Sequence, residues 1–241
     1  MTIYFIGAGP GDPELVTVKG QRLIRACPVI LYAGSLVPEA VLDGHTAHTV
    51  IDSASLTLDE IVAILTAADA RGEDVARVHS GDPSLYGAIG EQIRRLDALG
   101  VTWEIIPGVT ATAASAAALG AELTLPGISQ TVILTRYARK TAMPEGESLA
   151  ELAQHRATLA IHLGVRHLAE IVPILTPHYG SDCPVAIVYR ASWPDQHIVR
   201  GTLADIVDRA ASTSLQRTAL IVVGKVLDME HFTDSTLYRA D

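Results

Sequence analysis

The sequence predicts an α/β protein of two α/β domains, the first built on a mostly parallel sheet and the second on a mixed sheet, with a ligand site expected in the cleft between them. Three observations carry this expectation. Short β-branched runs alternate with helical patterns through the first half. Glycine- and proline-rich turns stand directly after several of those runs. After "ELTLPG" the rhythm changes to strands at hairpin and crossover spacing. A length of 241 residues allows each of two domains its own core, and 49% hydrophobic with only 5% aromatic residues makes those cores Ala, Val, Ile and Leu.

The first strand is "TIYFIG" (2–7). After a loop, Thr17 N-caps a helix over 17–27 that sets Val18, Leu23 and Ile24 on one face. "PVILYAG" (28–34) is nearly continuous in apolar residues, as a parallel strand covered on both faces should be. Residues 57–72 begin with Thr57 and Glu60 in capping-box spacing and end at Gly72. Strand "DVARVHSG" (74–81), helix 85–100, strand "TWEIIPG" (102–108) and a small-residue helix over 110–119 complete the first domain. The boundary is expected near Gly120 to Pro126, giving domains 1–120 and 121–241. The second domain then holds strands at 128–136, 158–164, 183–192, 197–203 and 218–227, with helices near 165–176 and 202–212 and a polar loop over 137–148.

Several function classes are disfavoured. No stretch reaches the roughly 18 apolar residues of a membrane span, and "MTIYFIGAGPGD" lacks the basic start of a signal peptide. A formal net charge of −9 disfavours a nucleic-acid partner. Cys27 and Cys183 belong to no CxxC or Cys/His cluster, so they read as buried small hydrophobes of a cytoplasmic protein, and no metal site is expected.

The opening loop, "GAGPGDPELVT", invites comparison with a dinucleotide-binding turn. That fingerprint needs GxGxxG and an acid about 20 residues on. Here Gly7, Gly9 and Gly11 give GxGxG, Asp12 occupies the third glycine's place, and no acid follows the second strand before Glu39. Pro10 and Pro13 also remove two N–H donors that a pyrophosphate would use. A stiff loop that lets a ligand approach closely fits better. "HSGDPSLYG" (79–87) and "IPGVTATAASAA" (106–117) repeat the device after later strands, so all of these loops share the carboxyl edge of the sheet.

"GAGPGDPELVT", "SGDPSLYG" and "PGVTA" resemble, in order and in placement, the motifs of the tetrapyrrole methyltransferases, which use S-adenosylmethionine to methylate carbons of corrin and sirohaem precursors. The likeness spans nearly the whole chain, including "YRASWPDQHIVRGTL" and "ALIVVGKV". "LYAGSLV", "IDSASLTLDEI", "RVHSGDPSLYGAIGEQ" and "ELTLPGISQTVILTR" are more particular: they resemble the branch acting on C-11 of precorrin-4, or of its cobalt counterpart. The resemblance implies S-adenosyl-L-methionine as methyl donor, S-adenosyl-L-homocysteine as its product, a small-molecule tetrapyrrole substrate and a homodimer. It also implies cofactor contacts from Pro10, Gly81, Asp82, Thr110 and Ala111, and from Leu163, Ala191 and Ala219 in the second domain. Leu163 stands where methionine is often found in the family, a swap that conserves volume.

Methyl transfer from a sulfonium is an in-line displacement that asks mainly for orientation, worth on the order of 7–11 kcal/mol. The lack of a readable nucleophile or metal constellation is compatible with it. Precorrins carry many carboxylates, so cations must gather locally in this acidic chain. The candidates for substrate binding are Arg136, Arg139, Lys140 and Arg190, with Tyr86 beside the second motif. His79 and His162 lie near the motifs, and the base that takes up the released proton is left unassigned. The rival classes are a nucleotide-dependent oxidoreductase and a non-catalytic binding protein on the same fold.

Overall fold

The computed structural model describes residues 1–138, 141–213, 215, 218–228, 232, 234 and 235. The chain forms two compact units, Met1–Ala111 and Thr112–Asp241. The first contains β1 (Ile3–Gly7), α1 (Val18–Ala26), β2 (Val29–Tyr32), β3 (Thr49–Asp52), α2 (Leu58–Ala70), β4 (Val75–His79), α3 (Gly90–Ala98) and β5 (Trp103–Ile106). Its sheet is parallel throughout, in the order β3-β2-β4-β1-β5. Alternate residues supply two cores. Ile3, Phe5, Val29, Leu31 and Val75 pack with Leu65 of α2 and Leu96 of α3, while Ile6, Ile30, Ala76, Val78 and Ile106 pack with Ile24 of α1. Each such Val, Leu, Ile or Phe side chain, fully buried, contributes roughly 1.5–3 kcal/mol.

Thr17 caps α1 by accepting from Gly20 N–H, and Thr57 with Glu60 forms the reciprocal capping box of α2. Two elements differ from expectation. β3 is a four-residue edge strand whose residues alternate between half-buried and exposed, a pattern too short to stand out. The helix expected from 85 begins only at Gly90. Tyr86 and Ala88 have φ of 58° and 51°, and Gly87 lies so close to Pro83 that an added Cβ would stand 2.2 Å from its carbonyl oxygen. The turn after β4 therefore consumes the residues that the periodicity assigns to a helix.

The second unit holds α4 (Ala111–Leu119, of which Ala111 closes the first unit), β6 (Val132–Arg136), α5 (Leu149–Ala153), β7 (Thr158–His162), α6 (Leu168–Tyr179), β8 (Pro184–Tyr189), β9 (His197–Thr202), α7 (Ile206–Ala211) and β10 (Ala219–Val223). Its sheet runs β6-β7-β10-β8-β9, with β6 parallel to β7 and the remaining pairs antiparallel, so it is mixed. Leu149, Leu168, Ile171, Leu175 and Ile206 of α5 to α7 cover one face. The other face receives Ala114 and Leu119 of α4 against Ala160, Ala186, Leu220 and Val222. That packing explains why the division falls at Ala111 and not near Gly120: α4 belongs with the second core.

Candidate active site

β1, β4 and β5 are parallel neighbours, so the loops that follow them leave one edge of the first sheet. The loops meet through backbone. A Cβ on Gly7 would stand 2.6 Å from Gly108 Cα and from Gly81 O, and one on Gly108 would stand 2.2 Å from Gly81 O. No side chain fits there. Gly9 N–H donates to Gly81 O (3.2 Å) and Gly81 N–H to Gly9 O (2.7 Å), both residues holding positive φ.

Asp82 fixes the third loop to the second. Its Oδ1 accepts from Ser84 N–H (2.8 Å), closing an Asx-turn, and its Oδ2 accepts from Gly108 N–H (2.9 Å). Its role is thus to shape the loops. Pro10 is buried within the first loop, and Thr110 and Ala111 are half-buried where the third loop enters α4. Gly81 keeps an open face: a Cβ there would meet nothing nearer than Ala111 N at 3.9 Å. The segments 8–17, 80–90 and 107–111 contain no Lys or Arg. A floor of this kind, free of bulk and of basic side chains, admits a cationic or neutral ligand more readily than a pyrophosphate.

In the second unit the remaining candidates gather along one sheet edge, where β6, β7 and β8 end and β10 begins. Leu163 follows β7 and is 66% exposed, Ala191 follows β8 and is buried, and Ala219 opens β10. Among the described residues, four of the seven non-glycine residues with positive φ lie here: Leu163, Arg190, Ser192 and Thr218. Held backbone strain of this sort, costing on the order of 1–3 kcal/mol per residue, concentrates at functional edges.

Among the described residues, the cationic candidates Arg136 and Arg190 are already engaged. Arg136 Nη2 donates to the carbonyls of Thr141 and Ala142, bracing the loop after β6. Arg190 pairs with Asp195, and its guanidinium carbon stands 4.1 Å from the Trp193 ring centroid. Tyr86 is 48% exposed on its strained turn. Arg139 and Lys140 lie outside the described residues. His162 Nε2 lies 3.2 Å from Thr112 Oγ1, and burial pushes its pKa down to about 4, which leaves it neutral. Among the described residues no group of three or more His, Cys, Asp or Glu is placed to hold a metal ion.

Two polar residues of the first sheet, Asp52 at the end of β3 and Arg77 midway along β4, stand outside the sequence-based candidates, and His79, which ends β4, completes the polar set there. Asp52, ending β3, accepts from Gly34 N–H and Ala54 N–H (both 2.9 Å) and so ties the turn after β2. Arg77 and His79 of β4 are polar yet only 5% exposed. Their signal in the sequence is faint: two ionisable residues at alternate positions of an otherwise apolar strand.

A parallel α/β unit with a backbone-walled loop cluster, followed along the chain by a mixed-sheet α/β unit, is the architecture of a class of methylating enzymes. The chain belongs to the tetrapyrrole (corrin/porphyrin) methylases, whose family model matches residues 2–207. It is similar to a precorrin-4 C(11)-methyltransferase of Pseudomonas aeruginosa, 70% identical over 241 residues that cover 100% of this chain and 96% of the relative. Among solved structures it is similar to a cobalt precorrin-4 methyltransferase, a cobalamin biosynthetic enzyme, with TM-score 0.91 and 42% identity over 94% of this chain and 96% of that one. A uroporphyrin-III C-methyltransferase of Thermus thermophilus, solved with S-adenosylhomocysteine, matches with TM-score 0.79 and 29% identity over 95% of this chain and all of that one.

Proposed function

We propose that this chain transfers a methyl group from S-adenosylmethionine to C-11 of precorrin-4, giving precorrin-5 in cobalamin biosynthesis. The observation that carries the reading is the 70% identity, over the whole chain, to a precorrin-4 C(11)-methyltransferase. The loop chemistry supports the donor. Its methyl group sits on a sulfonium, and loops without basic side chains or bulk suit such a cation. Gly81 leaves its face open to the ligand, Asp82 holds the loops in register, and Pro10, Thr110 and Ala111 complete that wall. Leu163, Ala191 and Ala219 serve the donor from the second unit.

The chain's own contribution is then orientation and exclusion of water. Tyr86, Arg136 and Arg190, with Arg139 and Lys140, receive the substrate's carboxylates. Proton loss goes to water or to a base that no residue is assigned to supply. The reading includes a homodimer and a cytoplasmic location; the two cysteines, buried and unpaired, support a reducing compartment. No described helix is long and apolar enough to cross a membrane.

The test is turnover with methyl-13C-labelled S-adenosylmethionine and precorrin-4 generated in place, with the label located by NMR. Label at C-11 is expected. Label at another ring carbon, or none, overturns the proposal. A second reading, cobalt-precorrin-4 as substrate, is favoured by the fold likeness to a cobalt precorrin-4 methyltransferase; parallel assays with both substrates separate the two.

A further inference from the structure

The first sheet buries a cation that no carboxylate neutralises. Arg77 lies mid-strand in β4 and is 5% exposed. Its Nε donates to Gln92 Oε1 (3.3 Å), and its Nη1 donates to Ser53 Oγ (2.9 Å) and to Leu31 O (3.3 Å). All three acceptors are neutral. Burial alone acts on its pKa, lowering it to about 10, with no acid raising it again. Nη2 has no protein partner among the described residues and is not one of the fully enclosed unpartnered atoms, so the exposed remnant of the side chain includes it.

His79, two residues along on the same face, packs its ring 5.9 Å from that of Phe5. Its Nε2 is buried without a partner. Burial, and after it the Arg77 charge, hold its pKa near about 3, so it adds no second charge. A buried guanidinium without a counter-ion is costly, and an incoming anion that meets it gains a strong, weakly screened contact.

The partners of Arg77 are also informative. Leu31 opens "LYAGSLV", Ser53 lies in "IDSASLTLDEI", and Arg77 and Gln92 begin and end "RVHSGDPSLYGAIGEQ". Three of the four stretches that carry the more particular resemblance therefore meet on one guanidinium.

We propose that Arg77 is a substrate-binding and specificity-determining residue, whose Nη2 edge receives one carboxylate from an acid side chain of the tetrapyrrole. The proposal rests on the reading of the chain as a tetrapyrrole methyltransferase. A site built to bond one substrate carboxylate rejects tetrapyrroles that place it elsewhere, because the buried cation would then stay unpaired.

The experiment compares the unaltered chain with Arg77→Gln and Arg77→Lys, measuring KM for precorrin-4 by methyl transfer and Kd for S-adenosylhomocysteine by calorimetry. The expected result for Arg77→Gln is a KM about 10- to 100-fold higher, the loss of one charge-assisted hydrogen bond, with Kd unchanged. Arg77→Lys, which keeps the charge and loses the planar fork, falls between. An unchanged KM in a folded Arg77→Gln overturns the proposal while leaving the methyltransferase reading intact. Absence of methyl transfer by the unaltered chain overturns both. Should Arg77→Gln not fold, the unaltered chain labelled with [15N]arginine decides. A shift of the Arg77 side-chain signal on adding tetrapyrrole, and not on adding S-adenosylhomocysteine alone, is expected; no shift at saturating tetrapyrrole overturns the proposal.

Discussion

Both carboxylate oxygens of Asp82 are committed to backbone N–H groups, one at Ser84 and one at Gly108. Replacing it with Ala leaves two amides without acceptors, at roughly 1–3 kcal/mol for each that stays dry. We therefore expect Asp82→Ala to weaken S-adenosylhomocysteine binding about 10- to 100-fold in a calorimetric titration, by loosening the loops. Unchanged affinity would mean that the donor does not feel this clamp. Glycines provide a second contrast at this scale. Gly72 has φ of 71° with nothing within 4 Å of an added Cβ, so Gly72→Ala should cost only about 1 kcal/mol of left-handed strain. Gly7 has backbone of both other loops at 2.6 Å. Gly7→Ala must push those loops apart, and urea unfolding should show it at least ~2 kcal/mol less stable than Gly72→Ala. Equal midpoints in the two variants would refute the close loop packing.

At the scale of elements, the strongest local signals predict the right structure where a few adjacent residues suffice. The Thr57–Glu60 capping box supplies two reciprocal bonds at the start of α2. Thr57→Ala should lower unfolding free energy by about 1 kcal/mol, measured by urea titration at constant slope; no change would mean that packing of Leu65 and Ala68 alone sets this helix. The same Ser-x-x-Glu spacing at Ser148 and Glu151 starts α5, a five-residue helix that the surrounding polar run hides. β3 is legible only through its pairing with β2, because four half-exposed residues carry no period of their own. The late start of α3 is set by the contact between Gly87 and Pro83, which 3.6-residue periodicity does not encode. The close backbone packing of the three glycine loops was legible because glycine and proline constrain backbone wherever they fall. Arg77 was not, since its meaning depends on the absence of a carboxylate near it in space.

For the molecule as a whole, stability against pH follows from a matched pair of buried groups in each unit. The first unit buries His79 and Cys27, and the second holds His162 half-buried and desolvated and buries Cys183. Burial lowers the histidine pKa values from 6.5 to about 3 and about 4. Below pH 6.5 the unfolded chain therefore binds protons that the folded chain does not, so stability rises with pH through this window and levels off above it. The thiols act at the other end. Burial raises Cys27 to about 12 and Cys183 to about 11 from 9.0, so above pH 9 the unfolded chain sheds protons that the folded chain keeps, and stability falls. Each proton is worth about 1.4 kcal/mol per pH unit. If the two units unfold together, the two imidazoles should give the acid limb a slope of roughly 2–2.5 kcal/mol per pH unit between about pH 5.5 and 6, where carboxylates at their ordinary pKa are about nine-tenths or more ionised. His162→Gln should halve that slope and leave the plateau between about pH 7 and 8.5 flat. Urea unfolding at half-unit pH steps reads both quantities. A level profile below pH 6.5 in the unaltered chain would mean that neither imidazole is held neutral by burial, and the single positive charge assigned to Arg77 and its neighbour would then be wrong as well.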